Sequence, residues 1–296
     1  MKKLVIHAVA LLISSLLSIG MAKNPIRVIV FGAHPDDCDM YAGGTAALFA
    51  EMGHEVKFVS LTNGDKGHHE MQPEALAKRR KKEMQESARH LGIIYENMEN
   101  HDGELIPTLE NRKAVIRMIC DWKADIVITH RPNDYHPDHR YASAIVQDAA
   151  YMISVPLMVP GETPLLDSPL FLYMQDGFRK PAPFSPDIVI DITSVTDKKL
   201  RAICAHESQV YEWLPWNGGY ENDVPEDQEG KIKLAADHFL WRRMSDSFKE
   251  AALRWYSPRQ TKNIQYFEAF EICEYGSEPD QEGIRKLFPM LPASER

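Results

Sequence analysis

The sequence predicts an α/β fold, a Rossmann-like, three-layer arrangement with a mainly parallel sheet flanked by helices. Three observations carry this. Short β-branched runs recur at Ile26 to Ala33, Glu55 to Leu61 and Asp125 to Thr129, the pattern of strands buried on both faces. Helical stretches separate them, so strand and helix alternate along the chain. Polar clusters rich in His and Asp follow the first and third runs directly, where an open parallel sheet leaves a ligand crevice at the carboxyl ends of its strands.

The elements follow in order. A helix is expected from Met40 to Met52, ended by Gly53, and a long one from Glu74 to Leu91, closed by Gly92. Between them Thr62 to Pro73 is a polar loop with two glycines and the pair His68-His69. Further helices are expected at Arg112 to Trp122 and Pro137 to Ile153. Later strands are expected at Leu170 to Met174, Asp187 to Ile192 and Ile264 to Cys273. Pro156 to Pro169 and Lys180 to Pro186 are proline-rich connectors. Trp213 to Lys231 reads as a long acidic loop, and loops of that length are often functional. Gly276 to Arg296 reads as a polar tail with a short helix. There is no internal repeat.

The 296 residues suit one large domain. Residues 1 to 22 read as a secretory signal. Lys2 and Lys3 supply its positive start, Leu4 to Ile19 its apolar stretch, and Gly20-Met21-Ala22 a small-residue cleavage site. A single mature domain would then span 23 to 296, secreted or periplasmic, with no stable membrane insertion after cleavage. The formal net charge of -9 argues against a nucleic-acid partner, which calls for a Lys/Arg surplus. Oligomeric state is open on sequence grounds. Cys38, Cys120, Cys204 and Cys273 are too widely spaced for a disulfide framework and read as small buried residues.

Two clusters carry the chemistry. Ala33-His34-Pro35-Asp36-Asp37 ends the first strand, and His136-Pro137-Asp138-His139 opens a helix beyond the third. A catalytic zinc takes three nitrogen or oxygen ligands and leaves a position for water, and His34, Asp37 and His139 supply that set. One such ion per chain is expected; two histidines and a carboxylate also suit iron(II) or manganese. Asp36 and His136 remain beside the ligands. Asp36 is placed to take the proton of an activated water as general base, and a protonated His136 to stabilise the oxyanion of an attacked amide. Asp138 is placed to orient His136 or His139. No GxSxG elbow and no GxGxxG turn competes with this reading.

AHPDD followed by HPDH resembles the PIG-L/LmbE-like N-acetylglucosaminyl deacetylases. The resemblance continues in Gly43-Gly44-Thr45, Thr62-Asn63-Gly64, Arg80 with Glu83, Leu91-Gly92, Asp102-Gly103 and His206-Glu207-Ser208-Gln209. It implies an LmbE-like fold and a zinc amide hydrolase acting on an N-acetylated sugar or glycoconjugate. It further implies His34, Asp37 and His139 as ligands, Asp36 as base, His136 as the group that polarises the carbonyl, and Arg80 and Asp102 as contacts to sugar hydroxyls. Two departures stand out. Cys38 and Asp39 occupy positions where the family usually has Glu, and packing is the expected role of Cys38. Asp134 occupies the position where some relatives carry an oxyanion-assisting Tyr, with Tyr135 one residue off.

Other residues complete the expectations. His68 and His69 read as exposed loop residues, with lining the pocket as the alternative. His206 is either a wall of the site or a hydrogen-bonded histidine at a helix end. Trp213 and Trp216 are either a sugar-stacking platform or loop anchors. Two competing functions are a carbohydrate-binding protein with a vestigial metal site and a zinc amidohydrolase of a non-sugar acylated amine.

Overall fold

In the computed structural model, which describes residues 24–240 and 243–293, strand and helix alternate through the first half of the chain. β1 is Arg27–Gly32, β2 Glu55–Thr62, β3 Ile94–Asn100, β4 Ile126–Thr129, β5 Leu170–Met174, β6 Ile188–Asp191 and β7 Phe267–Ile272. The helices are α1 Asp37–Glu51, α2 Pro73–Leu91, α3 Leu109–Trp122, α4 Pro137–Met152, α5 Thr196–Ala205, α6 Leu214–Gly218, α7 Gln228–Phe239, α8 Asp246–Leu253, α9 Pro258–Asn263 and α10 Gln281–Leu287. A π-helical stretch, Ser208–Trp213, joins α5 to α6. The signal sequence expected over residues 1 to 22 lies outside the described residues.

The seven strands form one sheet in the order β3-β2-β1-β4-β5-β7-β6. β1 pairs in parallel with β2 and β4, and only β7 runs antiparallel, between β5 and β6. In β1 the pleat sends Val28 and Val30 into one core cluster and Ile29 and Phe31 into another, so the sheet is covered on both sides. Strand order reverses direction between β1 and β4, the switch point where a crevice opens.

Four readings need correction. β3 is a strand although its sequence, IYENMEN, is polar; it lies at the sheet edge, where Tyr95 is its buried side chain and charged residues are tolerated. The stretch from Trp213 to Lys231 is not a loop throughout, since it contains α6 and the start of α7. The C-terminal stretch is not a free tail. Ile284, Phe288 and Leu291 are buried in the core, with the Phe288 ring 5.6 Å from that of Phe49. α1 also starts three residues before Met40, at Asp37, a shift that matters for the site.

α1 is pinned from behind by a buried ion pair. Lys199 of α5 and Glu268 of β7, both with fully buried side chains, meet at 2.7 Å. Glu268 accepts hydrogen bonds from the amides of Gly44 (2.8 Å) and Thr45 (2.7 Å), while Lys199 Nζ donates to Met40 O (2.8 Å). Gly44 is required there, since a Cβ would lie 2.7 Å from Ile192. No helix among the described residues is long and apolar enough to cross a membrane.

Candidate active site

The turn from β1 into α1 builds the first half of the site. Gly32 permits it, because a Cβ at that position would lie 2.8 Å from Cβ of Asp37. The His34 carbonyl accepts from the amides of Asp36 (2.8 Å) and Asp37 (3.3 Å), and the His34 amide donates to Asp37 Oδ2 (2.7 Å). Asp36 is the N-cap residue of α1. An aspartate there ordinarily accepts a hydrogen bond from an amide of the first turn, but Asp36 makes no such bond. Its Oδ1 is buried without any hydrogen-bond partner. Leaving a buried acceptor unpaired costs about 1–3 kcal/mol, so this carboxylate is held ready for a group from outside the protein.

The end of β4 and the start of α4 build the second half. His136 is the N-cap of α4, and its Nδ1 accepts from the Asp138 amide at 3.2 Å. A neutral ring whose Nδ1 accepts must carry its proton on Nε2, so His136 presents an N–H donor. The ring lies edge-on to His34, with centroids 4.6 Å apart.

His34, Asp37 and His139 come together in a triangle. His34 Nδ1 is 3.2 Å from His139 Nε2 and 3.5 Å from Asp37 Oδ2, and His139 Nε2 is 3.4 Å from Asp37 Oδ1. Donors bound at about 2.0–2.2 Å around a tetrahedral ion stand roughly 3.3–3.6 Å apart, and the two ring nitrogens lie close to that spacing from each other and each from one oxygen of the Asp37 carboxylate. Overlapping His and Asp sets surround the same point: His34, His136 and His139, and Asp37, His130 and His139. The arrangement can hold a metal.

The other nitrogen of His34 explains two further residues. His34 Nε2 is 3.2 Å from Asp138 Oδ2 and 3.2 Å from Asp102 Oδ1. Asp138 is fully buried and also accepts from the amides of Gly103 (2.7 Å) and Leu105 (3.2 Å), in the loop after β3. Asp138 therefore orients His34 and not His136 or His139, a correction to the sequence expectation. The cause is the polar edge strand β3, whose following loop wraps onto the first turn of α4. Behind His139 stands Asp134, with Oδ2 3.2 Å from Nδ1, an ion-pair contact that is not aligned as a hydrogen bond. A carboxylate behind each histidine fixes its ring and strengthens it as a ligand.

Asp102 and Arg80, expected on sugar hydroxyls, do not line the cavity described below. Asp102 faces His34. Arg80 is buried, and its Nη2 donates to Gly67 O at 2.8 Å and to Gln209 Oε1.

Charge balances across the cluster. Burial works to lower the His34 pKa, but Asp102, Asp138 and Asp37 outweigh it and hold the ring well above the usual histidine range. Burial works to raise that of Asp37, while His139 and His130 pull it well below the usual carboxylate range. Asp36 goes the other way: burial and the charge of Asp37 raise it, against Arg80 and His206. His136 is lowered by burial and by His34 and His139, which favours a neutral Nε2–H donor and corrects the protonated form expected from the sequence. Adjacent carboxylates with pKa values pushed apart are the pattern of a ligand beside a base.

One contributor escapes a reading by motif. His130 follows β4 directly, and its Nε2 is 3.1 Å from Asp37 Oδ2 while its ring stacks on His139 at 4.2 Å. Its place at a strand end, matching that of His34 after β1, is the signal that could have found it. His206 is buried, with Nε2 3.0 Å from Asp39 Oδ2, so it braces the start of α1 from behind. Cys38 points into the core, 3.5 Å from Val30 O, as a packing residue, and burial pushes its thiol up. His68 is not exposed: its side chain is 5% accessible, with Nε2 2.9 Å from Glu212 Oε2. The rings of His68, His69, Trp216 and Trp213 stack in series at 4.7, 4.8 and 5.4 Å. Neither tryptophan is among the residues around the cavity described below, and the stack ties Trp216 to the loop after β2 through His69.

A cavity of about 450 Å³ opens over the metal-binding residues. His34, Asp36, Asp37 and His139 form its polar end, and Tyr41, Tyr135, Gln209, Leu214 and Phe239 are among its other walls. That volume suits a small organic ligand and exceeds what an acetamide alone would fill.

The family described as PIG-L, GlcNAc-PI de-N-acetylase, matches residues 29–150, which span both polar clusters. A diacetylchitobiose deacetylase from Thermococcus kodakarensis is 30% identical over 203 residues, covering 64% of this chain and 73% of that protein. The chain belongs to the PIG-L family. As such it is an enzyme of the deacetylase class, a hydrolase of amide bonds. The N,N'-diacetylchitobiose deacetylase of Pyrococcus horikoshii shares the PIG-L fold, with a TM-score of 0.63 at 24% identity over 88% of this chain and 89% of that one. A 4-oxalmesaconate hydratase from Pseudomonas putida is 28% identical over 62% of this chain and 74% of that protein. The scaffold thus also serves a hydratase, and the substrate must be argued from the site.

Proposed function

We propose that this PIG-L protein is a zinc-dependent N-deacetylase that hydrolyses the acetamide of an N-acetylglucosamine-type sugar or glycoconjugate, and that it works outside the cytoplasm. The observation that carries the reading is the unpaired, buried Asp36 carboxylate at an N-cap, beside a three-donor triangle of the size one ion needs. The N-acetylated sugar comes from the 30% identical relative, and export from the sequence of residues 1 to 22.

His34, Asp37 and His139 would hold the ion. A zinc ion bound there supplies a water of lowered pKa and polarises the substrate carbonyl. Asp36 accepts the proton of the attacking water as its oxygen adds to the amide carbon. The Nε2–H of His136 donates to the oxygen that gains charge, a contribution of about 3–4 kcal/mol for such a donor. As the carbon–nitrogen bond breaks, Asp36 returns its proton to the leaving amine, giving acetate and the free amino sugar. Asp138, Asp102 and Asp134 keep the two ligand rings in place throughout.

Acetate release from N-acetylglucosamine and N,N'-diacetylchitobiose, measured with metal content, tests the proposal. Wild type is expected to carry about one zinc per chain and to release acetate. Asp36→Ala is expected to keep the metal and lose about 10²–10⁴-fold in rate. Bound metal with no acetate from any N-acetylated sugar would overturn the substrate and point to a non-sugar acylated amine.

A further inference from the structure

We infer that the groove sharing Tyr135 with the catalytic cavity is a second sugar subsite, and that it takes an acidic pyranose, a ring bearing a carboxylate. This rests on the sugar reading above and extends it to the unit joined to the N-acetylated sugar.

A groove of about 250 Å³ lies between the start of α4 and the stretch after β5, lined by Asn133, Asp134, Tyr135, Arg140, Phe178 and Lys180. Tyr135 is also a wall of the catalytic cavity, so the two spaces meet at one ring. That residue is 72% exposed, and the Phe178 ring stands 6.2 Å from its own at an angle of 37°. Two tilted aromatic faces suit the C–H face of a pyranose. A substrate longer than one sugar would pass over Tyr135 from one space into the other.

The charge in the groove is unbalanced. Arg140 Nη1 donates to the carbonyls of Asp134 (2.8 Å) and Tyr135 (3.0 Å), neutral partners that leave its charge uncompensated. Lys180 is exposed and has no protein partner among the described residues. The one carboxylate in the lining is turned inward. The Asp134 side chain is 8% accessible, its Oδ1 accepts from the His136 amide at 2.9 Å, and its Oδ2 faces His139. Asp176, nearby in sequence, is engaged by Arg131 at 3.1 Å. In a chain of net charge -9, two cations with no acid between them are a local exception. They attract an anion, and a planar guanidinium matches a carboxylate.

Both walls are held in place by the protein itself. Arg131 is 4% exposed and donates to the two Asp176 oxygens (3.1 and 3.3 Å) and to Ala182 O (2.9 Å). Asp176 in turn accepts from the Phe178 amide at 2.9 Å. The stretch that carries Phe178 and Lys180 is thus clamped on either side by one buried guanidinium. Arg131 directly follows His130 of the metal-binding cluster, so groove and cluster share a support. On the opposite wall, Arg140 reaches back across the turn before α4 and fixes the backbone of Asp134 and Tyr135. Walls set beforehand lose little ordering entropy when a ligand binds.

The experiment measures acetate release by the zinc-loaded protein from diacetylchitobiose and from disaccharides of N-acetylglucosamine with glucuronic acid, in both linkage orders. N-acetylglucosamine is the one-ring reference. In wild type, one acidic disaccharide should exceed diacetylchitobiose in kcat/KM by about tenfold, chiefly through KM. Added sodium chloride should shrink that preference. Lys180→Met should remove most of it, Lys180→Glu should abolish it, and Lys180→Arg should keep it. Urea midpoints equal to wild type confirm that these surface variants fold. Equal kcat/KM for acidic and neutral disaccharides in wild type, or a preference that survives Lys180→Glu, would overturn the inference, while acetate from N-acetylglucosamine upholds the deacetylase reading. Acetate from no N-acetylated sugar would overturn that reading and the inference with it.

Discussion

Asp138→Asn should weaken zinc binding about tenfold while leaving the fold intact. Asp138 Oδ2 is shared by the Gly103 amide at 2.7 Å and His34 Nε2 at 3.2 Å, and Oδ1 accepts from the Leu105 amide at 3.2 Å. Asparagine can keep its oxygen at the Oδ2 position and so retain the two bonds there. It loses the charge, which turns a charge-assisted bond of about 1.5–3 kcal/mol into a neutral one of about 1 kcal/mol. It also turns an amide NH₂ toward the Leu105 amide, leaving that donor unpaired at about 1–3 kcal/mol. Removing a carboxylate behind a metal-bound histidine costs about 10–100-fold in affinity. Asp102 also stands 3.2 Å from His34 Nε2, so the low end of that range is expected. A competing chelator read by absorbance gives the affinity, and calorimetry of the metal-free protein gives the stability. Zinc affinity unchanged in Asp138→Asn, alongside a loss in Asp134→Asn, would refute the assignment of Asp138 to His34.

Two further outcomes follow from the packing. Lys199→Met leaves Glu268 buried without its counter-charge and should destabilise the protein by about 3–5 kcal/mol, read as a shift in urea midpoint; a shift under ~1 kcal/mol would show that the amides of Gly44 and Thr45 suffice to hold the carboxylate. Trp216→Ala removes stacking against both His69 and Trp213 and should cost about 1–3 kcal/mol with KM for N-acetylglucosamine unchanged, whereas a raised KM at full stability would restore the tryptophans as a sugar platform.

Much of the fold is legible because buried parallel strands announce themselves. IVIT and RVIVFG admit no other comfortable place than the middle of a sheet, and both end in residues that the switch point turns toward one crevice. IYENMEN does not announce itself, because an edge strand buries only part of one face and its polar composition matches that of a loop. That single omission propagates. Without β3, nothing in the sequence brings the loop of Asp102 to Leu105 against α4, and Asp138 looks free to serve His136 or His139. The motif residues were legible as a set since His34, Asp36, Asp37, His136 and His139 sit within two short segments. Which carboxylate stands behind which imidazole was not, because that depends on contacts between segments more than thirty residues apart.

The division between Asp36 and Asp37 shows how adjacent identical residues acquire different work. Asp37 is the first residue of α1, and its carboxylate turns back to accept from the His34 amide and to face His130 and His139. Those partners stabilise the anion, which is what a metal ligand requires. Asp36, one position earlier, is outside the helix with φ -155 and ψ -20, forgoes the capping bond, and meets burial and the charge of Asp37. Those surroundings favour accepting a proton, which is what a base requires. A difference of one residue across a helix start thus separates the two roles, and the start is fixed by the His34 carbonyl, by Gly32, and by the Lys199–Glu268 pair further along α1. Had the helix begun at Met40, as the apolar pattern alone suggests, Asp36 and Asp37 would share one loop and nothing local would distinguish them.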